Sequence, residues 1–170
     1  MNEQYDNTFQ LKIEKIRERC TFDFINLAFL RVLHQRKEEK LVYASGNTSS
    51  RYLRIVLQSR KGLAGQVIKT GRPAFITDVD KEIKSENLQN YPIIMAEGLK
   101  SLCALPLFED ENVVGVVLAG FRTSNKMSQE LIQQFTYEVR QAFDHLKSRE
   151  LVNSDESFTS IPARSINKSV

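Results

Sequence analysis

Apolar residues recur along this chain with two alternating periods. From Asn7 to Cys20, Phe9, Ile13, Ile16 and Cys20 lie three or four apart with charges between them. That spacing predicts an amphipathic helix. Phe22 to Leu33 is dense in Phe, Ile, Leu and Val and reads as a strand. The charges from Arg36 to Lys40 predict a turn. Leu41 to Ser45 then reads as a second strand, stopped by Gly46-Asn47, and the looser alternation of Tyr52 to Leu57 as a third. Lys61-Gly62-Leu63-Ala64-Gly65 opens a helix running to about Thr70, with Gly71 as its C-terminal cap. Pro73 to Thr77 reads as extended, and polar Asp78 to Asn90 as irregular with a helical turn. Tyr91-Pro92-Ile93 starts a short helix, because proline suits the first helical position, and that helix should end near Gly98. Leu102 to Phe108 and Val113 to Phe121 read as strands joined by the hairpin loop Glu109-Asp110-Glu111-Asn112. Ser128 caps a long final helix whose stripe is Leu131, Ile132, Phe135, Val139, Ala142, Phe143 and Leu146. From Leu151 the stripe dissolves into a Ser-, Asn- and Arg-rich tail, expected to be disordered.

A hairpin forces antiparallel pairing, and no regular strand–helix–strand alternation is present. The expected class is α+β, a central antiparallel sheet flanked by helices with a long C-terminal helix. Residues 1–150 read as one domain and 151–170 as the tail. The total of 170 residues, 41% hydrophobic and 26% charged, suffices for one core. No apolar run approaches the roughly 20 residues that span a bilayer. The polar start MNEQYDNTFQ lacks the order of a signal peptide, so a cytoplasmic location without membrane contact is expected. The net charge of +3 is too small to imply nucleic acid.

Two cysteines, Cys20 and Cys103, read as reduced thiols, and Cys103 on its apolar strand as a small buried hydrophobe. Two histidines make no metal cluster, and His34 should be exposed. Tyr52, Phe75 and Phe121 read as core. Arg51, Arg54, Arg60 and Lys61 form a basic cluster that suits a solvated loop, a docking patch or steering of an anion. No cofactor motif and no nucleophile motif is present, which argues against an enzyme.

Four fragments in order, Gly62-Leu63-Ala64-Gly65-Gln66-Val67, Thr70-Gly71-Arg72-Pro73, Leu102-Cys103-Ala104-Leu105-Pro106-Leu107 and Val114-Gly115-Val116-Val117, resemble the landmarks of GAF domains. Longer stretches are similar to the stand-alone nitrate receptors within that family. These are Tyr43 to Thr48, Arg51 to Ser59, Asn90 to Ile93, Leu99 to Ser101 and Gly120 to Arg122. The resemblance implies a pocket for one nitrate ion, with backbone donors at Leu63, Ala64 and Ile93 and a wall formed by Tyr91 and Pro92. It also implies a partner, an oxygen-sensing histidine kinase restrained by the ligand-free receptor. The chain departs from those receptors at Leu41, where they present a tryptophan; leucine offers no hydrogen-bond donor.

The residues support such a site on physical grounds. The first N–H groups of a helix are unpaired and carry partial positive charge. Gly62, Leu63 and Ala64 supply such groups at one helix start and Ile93 at another, while Gly62 and Gly65 keep side chains out of the way. A cradle of neutral donors with apolar neighbours suits a weakly hydrated planar anion; phosphate would recruit Arg or Lys. A Gly-x-x-Gly start equally serves close backbone packing. Two other functions compete: a GAF-type free methionine sulfoxide reductase, which needs paired thiols at the pocket, and a GAF domain for another small ligand such as a cyclic nucleotide. The final helix can pack on the sheet or pair with a second copy as a homodimer.

Overall fold

A computed structural model of the chain describes residues 3–32, 38–54, 62–144 and 161–162. Five antiparallel strands form the sheet: β1 (Phe24–Val32), β2 (Glu38–Ser45), β3 (Ala74–Ile76), β4 (Ser101–Glu109) and β5 (Asn112–Phe121). Their order is β2-β1-β5-β4-β3, and a two-residue β6 (Ile161–Pro162) pairs with the start of β5. The predicted α+β class, with its antiparallel sheet flanked by helices, is the observed one.

Strand alternation gives the sheet two apolar faces. On the first, Ile25, Leu27, Phe29, Tyr43, Cys103, Leu105, Val117 and Phe121 meet helices α1 (Glu3–Cys20) and α5 (Gln129–Phe143). The predicted helical stripes are what fills this layer: Phe9, Ile13, Ile16 and Cys20 from α1, and Phe135, Val139 and Phe143 from α5. The Phe9 and Phe29 rings meet edge to face at 5.0 Å, as do Phe22 and Phe135. Ser128 caps α5 by accepting the Leu131 N–H.

On the second face, Phe24, Ala44, Leu102, Ala104, Val116 and Leu118 meet α2 (Gly62–Thr70), α3 (Val79–Glu82) and α4 (Pro92–Glu97). One bulge breaks the alternation. Gly115 pairs with Leu107 and Val113 with Phe108, so Val114 is the extra residue of β5. That shift sends Val114 to the first face although Val116 and Leu118 lie on the second.

Several boundaries differ from the sequence reading. β2 begins at Glu38, so part of the charged run expected to turn is strand. Arg51–Arg54 is a 3-10 turn, not a strand, and 55–60 lies outside the described residues. The stretch read as irregular contains α3 and a second 3-10 helix, Ser85–Asn90. Asp78 caps α3 by accepting the Asp80 N–H, and the Glu82 carboxylate reaches back to the N–H groups of Thr77 and Asp78 at 2.8 Å each. Phe75 is 53% exposed rather than core, because β3 is an edge strand with one row facing solvent. Phe121 is buried as expected, and Tyr52 is half-buried against the second face. His34, Arg60, Lys61, Leu146 and all of the tail except Ile161–Pro162 lie outside the described residues.

Candidate functional site

The site is built where α2 and α4 begin, on the second face. Gly62 starts α2 with φ at 71°, a left-handed conformation that glycine adopts without a steric penalty. A Cβ placed on Gly62 would sit 3.6 Å from the Asn90 carbonyl oxygen and 4.0 Å from Pro92 Cδ. The two helix starts are therefore neighbours, and it is the left-handed backbone rather than lack of space that calls for glycine at this position. Leu63 and Ile93 are buried, and Ala64 and Tyr91 pack partly buried against the same core.

Tyr91 arrives from the 3-10 helix through an N–H bond to the Leu88 carbonyl at 2.9 Å, and no side chain caps α4. Pro92 occupies its first turn and has no N–H to offer, so the donors there begin with Ile93. Gly98 closes α4 in the left-handed conformation, as its sequence position predicts. Six of the seven expected site residues, Gly62, Leu63, Ala64, Tyr91, Pro92 and Ile93, thus lie on two adjoining helix starts.

Leu41 lies on β2, where its backbone pairs with Phe29 of β1. The row of β2 that faces α2 and α4 runs through Val42 and Ala44.

A groove of about 360 Å³ opens beside the site, bordered by Leu63 and Gln66 of α2, Phe75 of the sheet edge, Ile83 and Tyr91. Of the expected site residues, Leu63 and Tyr91 line it.

The sequence reading missed the ion pair beneath the site. Glu97, at the end of α4, is 2% exposed. Its Oε1 accepts from Arg122 Nη2 at 2.9 Å and from the Thr48 N–H at 2.8 Å. Arg122 Nε also donates to the Glu97 carbonyl oxygen at 2.8 Å, and Nη2 to the Gly46 carbonyl at 3.0 Å. The Arg122 N–H binds the Asp23 carboxylate at 2.8 Å. The signal was present in Ser-Gly-Asn-Thr and Gly-Phe-Arg, the fragments that carried the resemblance, but their common partner Glu97 sits in neither.

The two thiols lie on the other side of the sheet. Cys20 and Cys103 belong to the α1–α5 core, at 1% and 0% exposure, and are not bonded to each other. Burial pushes the Cys103 thiol up to about 12. It pushes Cys20 up to about 11, with the Glu138 charge adding to the effect. Neither thiol borders the helix starts, and neither ionises readily at neutral pH. Among the described residues no cluster of three His, Cys, Asp or Glu is placed to hold a metal, and no helix is long and apolar enough to cross a membrane.

Residues 6–144 match the GAF domain family. Among solved structures, the chain is similar to the NreA protein of Staphylococcus aureus mutated in its nitrate-binding site. The two are 32% identical with a TM-score of 0.65, over 74% of this chain and 92% of that one. It is similar in fold to the free methionine-R-sulfoxide reductase of Neisseria meningitidis, at 17% identity and a TM-score of 0.59, over 84% and 78% of the two chains. It is likewise similar in fold to the GAF domain of a two-component sensor histidine kinase from Bacillus halodurans, at 20% identity and a TM-score of 0.59, over 88% and 94%. No curated protein matches the chain. With the family match spanning most of its length and a relative near one-third identity, this chain belongs to the GAF domain family.

Proposed function

We propose that this protein is a cytoplasmic nitrate receptor. It binds one nitrate ion between the starts of α2 and α4 and acts on a sensor histidine kinase by contact, without catalysis. The observation that carries the proposal is the adjacency of Gly62 to Asn90 and Pro92, which brings two sets of helix-start N–H groups together. The similarity to a nitrate-binding protein over three quarters of the chain supports it.

In the proposal, Leu63, Ala64 and Ile93 donate backbone N–H groups. Pro92 and Tyr91 shape the wall, and the groove past Gln66 and Phe75 gives access. A neutral cradle of this kind selects for a singly charged, weakly hydrated planar ion, because the apolar neighbours raise the cost of bringing in a strongly hydrated one. The kinase partner and its restraint by the ligand-free form are carried over from the family resemblance. Nitrate binding would act by favouring the conformation that releases the kinase, in proportion to its differential affinity for the two states. The burial of both thiols on the opposite face speaks against reductase chemistry at this site.

Calorimetric titration with sodium nitrate, against sodium chloride at equal ionic strength, tests the reading. Saturable one-to-one heat is expected with nitrate only. Absence of heat and of any thermal shift at millimolar nitrate would remove nitrate as the ligand.

A further inference from the structure

We infer that the Glu97–Arg122 pair is the positioning device of the α4 arm of the ligand cradle, tying that helix to the chain that leaves β2 at one buried point. This inference rests on the proposed nitrate site and adds to it residues that do not touch the ion.

The geometry is direct for this arm. α4 is six residues long, with Ile93 at its start and Glu97 at its end. Arg122 holds that end twice, by Nε to the Glu97 carbonyl oxygen at 2.8 Å and by Nη2 to the Glu97 carboxylate at 2.9 Å. Arg122 is itself anchored at the end of β5 by its N–H bond to Asp23. So short a helix moves as a unit, and a shift at Glu97 is a shift at Ile93.

The same pair also holds the chain that leaves β2. The Glu97 carboxylate accepts from the Thr48 N–H and Oγ1, and Arg122 Nη2 donates to the Gly46 carbonyl. Gly46 to Thr48 is the root of the segment that leaves β2 and passes through the 3-10 turn Arg51–Arg54 against α4. A free carboxylate at the root of that loop would cost several hydrogen bonds at once, so the loop and α4 keep one relative placement. The same bonds give a route by which an ion at the helix starts alters the exposed loop 46–54.

Glu97→Gln tests this. It keeps the size of the side chain but removes the charge: the amide oxygen can still accept from Arg122 Nη2 and the Thr48 N–H, without the ion pair, while the amide nitrogen meets only the Thr48 hydroxyl. Two measurements are made on the full chain: backbone amide hydrogen exchange without nitrate, and nitrate affinity. Val139→Ala, in the α1–α5 core, serves as a control for general loss of stability. The expected result is faster exchange, by about tenfold, at Thr48 and at Ile93–Ile94 together, and about tenfold weaker nitrate binding. The control should show neither at matched melting temperature. Should Glu97→Gln not fold, Arg122→Lys keeps the positive charge while losing the Nε bond, and it should show the same paired change to a smaller degree. Faster exchange at Thr48 alone, with Ile93 as in the unaltered protein, overturns the inference. So does unchanged exchange at both. If the unaltered protein takes up no nitrate, the ligand assignment fails, and the paired exchange still decides the positioning claim.

Discussion

At the residue scale, three positions show what the surroundings demand of them. Gly46 has φ at 75°, and a Cβ there would lie 2.1 Å from the Asp23 carbonyl oxygen. Gly46→Ala should therefore destabilise the protein by ~3 kcal/mol or more, seen as a lower urea midpoint at unchanged slope. Glu97→Ala strands Arg122 beside a buried cavity and should cost about 3 kcal/mol in the same assay, since removing one partner of a buried pair leaves the other uncompensated. Cys103 gives a pH signature. Its thiol holds its proton up to about 12 in the folded state, against 9.0 ordinarily. The neutral form is favoured by folding, so its contribution is complete below about pH 9 and is lost as pH rises towards 12. The melting temperature should fall across that window less steeply in Cys103→Ala than in the unaltered protein. Equal slopes would contradict the cause given for the raised value. Of these residues, the sequence made Cys103 legible as a buried hydrophobe, because its strand is apolar throughout. Glu97 was not legible. A lone acid in an apolar helix carries no mark of the partners that the fold brings from Thr48 and Arg122.

At the scale of elements, long periodic segments were readable and short ones were not. α1 and α5 follow from their stripes, and the Ser128 cap places the start of α5. Ser128→Ala should cost about 1 kcal/mol by removing the acceptor of the Leu131 N–H, measured by thermal unfolding. The hairpin of β4 and β5 was legible from its turn, but the bulge at Val114 was not, since an extra residue leaves the apolar run unbroken. Tyr52 suggested a strand by alternation, yet the chain turns tightly at Arg51–Arg54 to rejoin α4. Phe75 misled because an aromatic on an edge strand looks, in sequence, like one on an inner strand.

For the whole molecule, the sheet separates two tasks. One face carries the α1–α5 core, with its aromatic contacts and both thiols. The other face carries shorter helices, of which α4 starts without a side-chain cap, which favours binding over stability at that helix start. The GAF assignment depends on the order of fragments across the entire chain, and for that reason the sequence carried it well. The convergence of Gly62 with Asn90 and Pro92 depends on two distant segments folding over one sheet, which spacing alone does not disclose. The most direct measurement of the central claim is a crystal structure grown in saturating nitrate. It should show flat, three-lobed density within hydrogen-bond distance of the Ala64 and Ile93 nitrogen atoms, bordered by Leu63 and Pro92. Density for nitrate elsewhere, or solvent alone between those two helix starts, would contradict it.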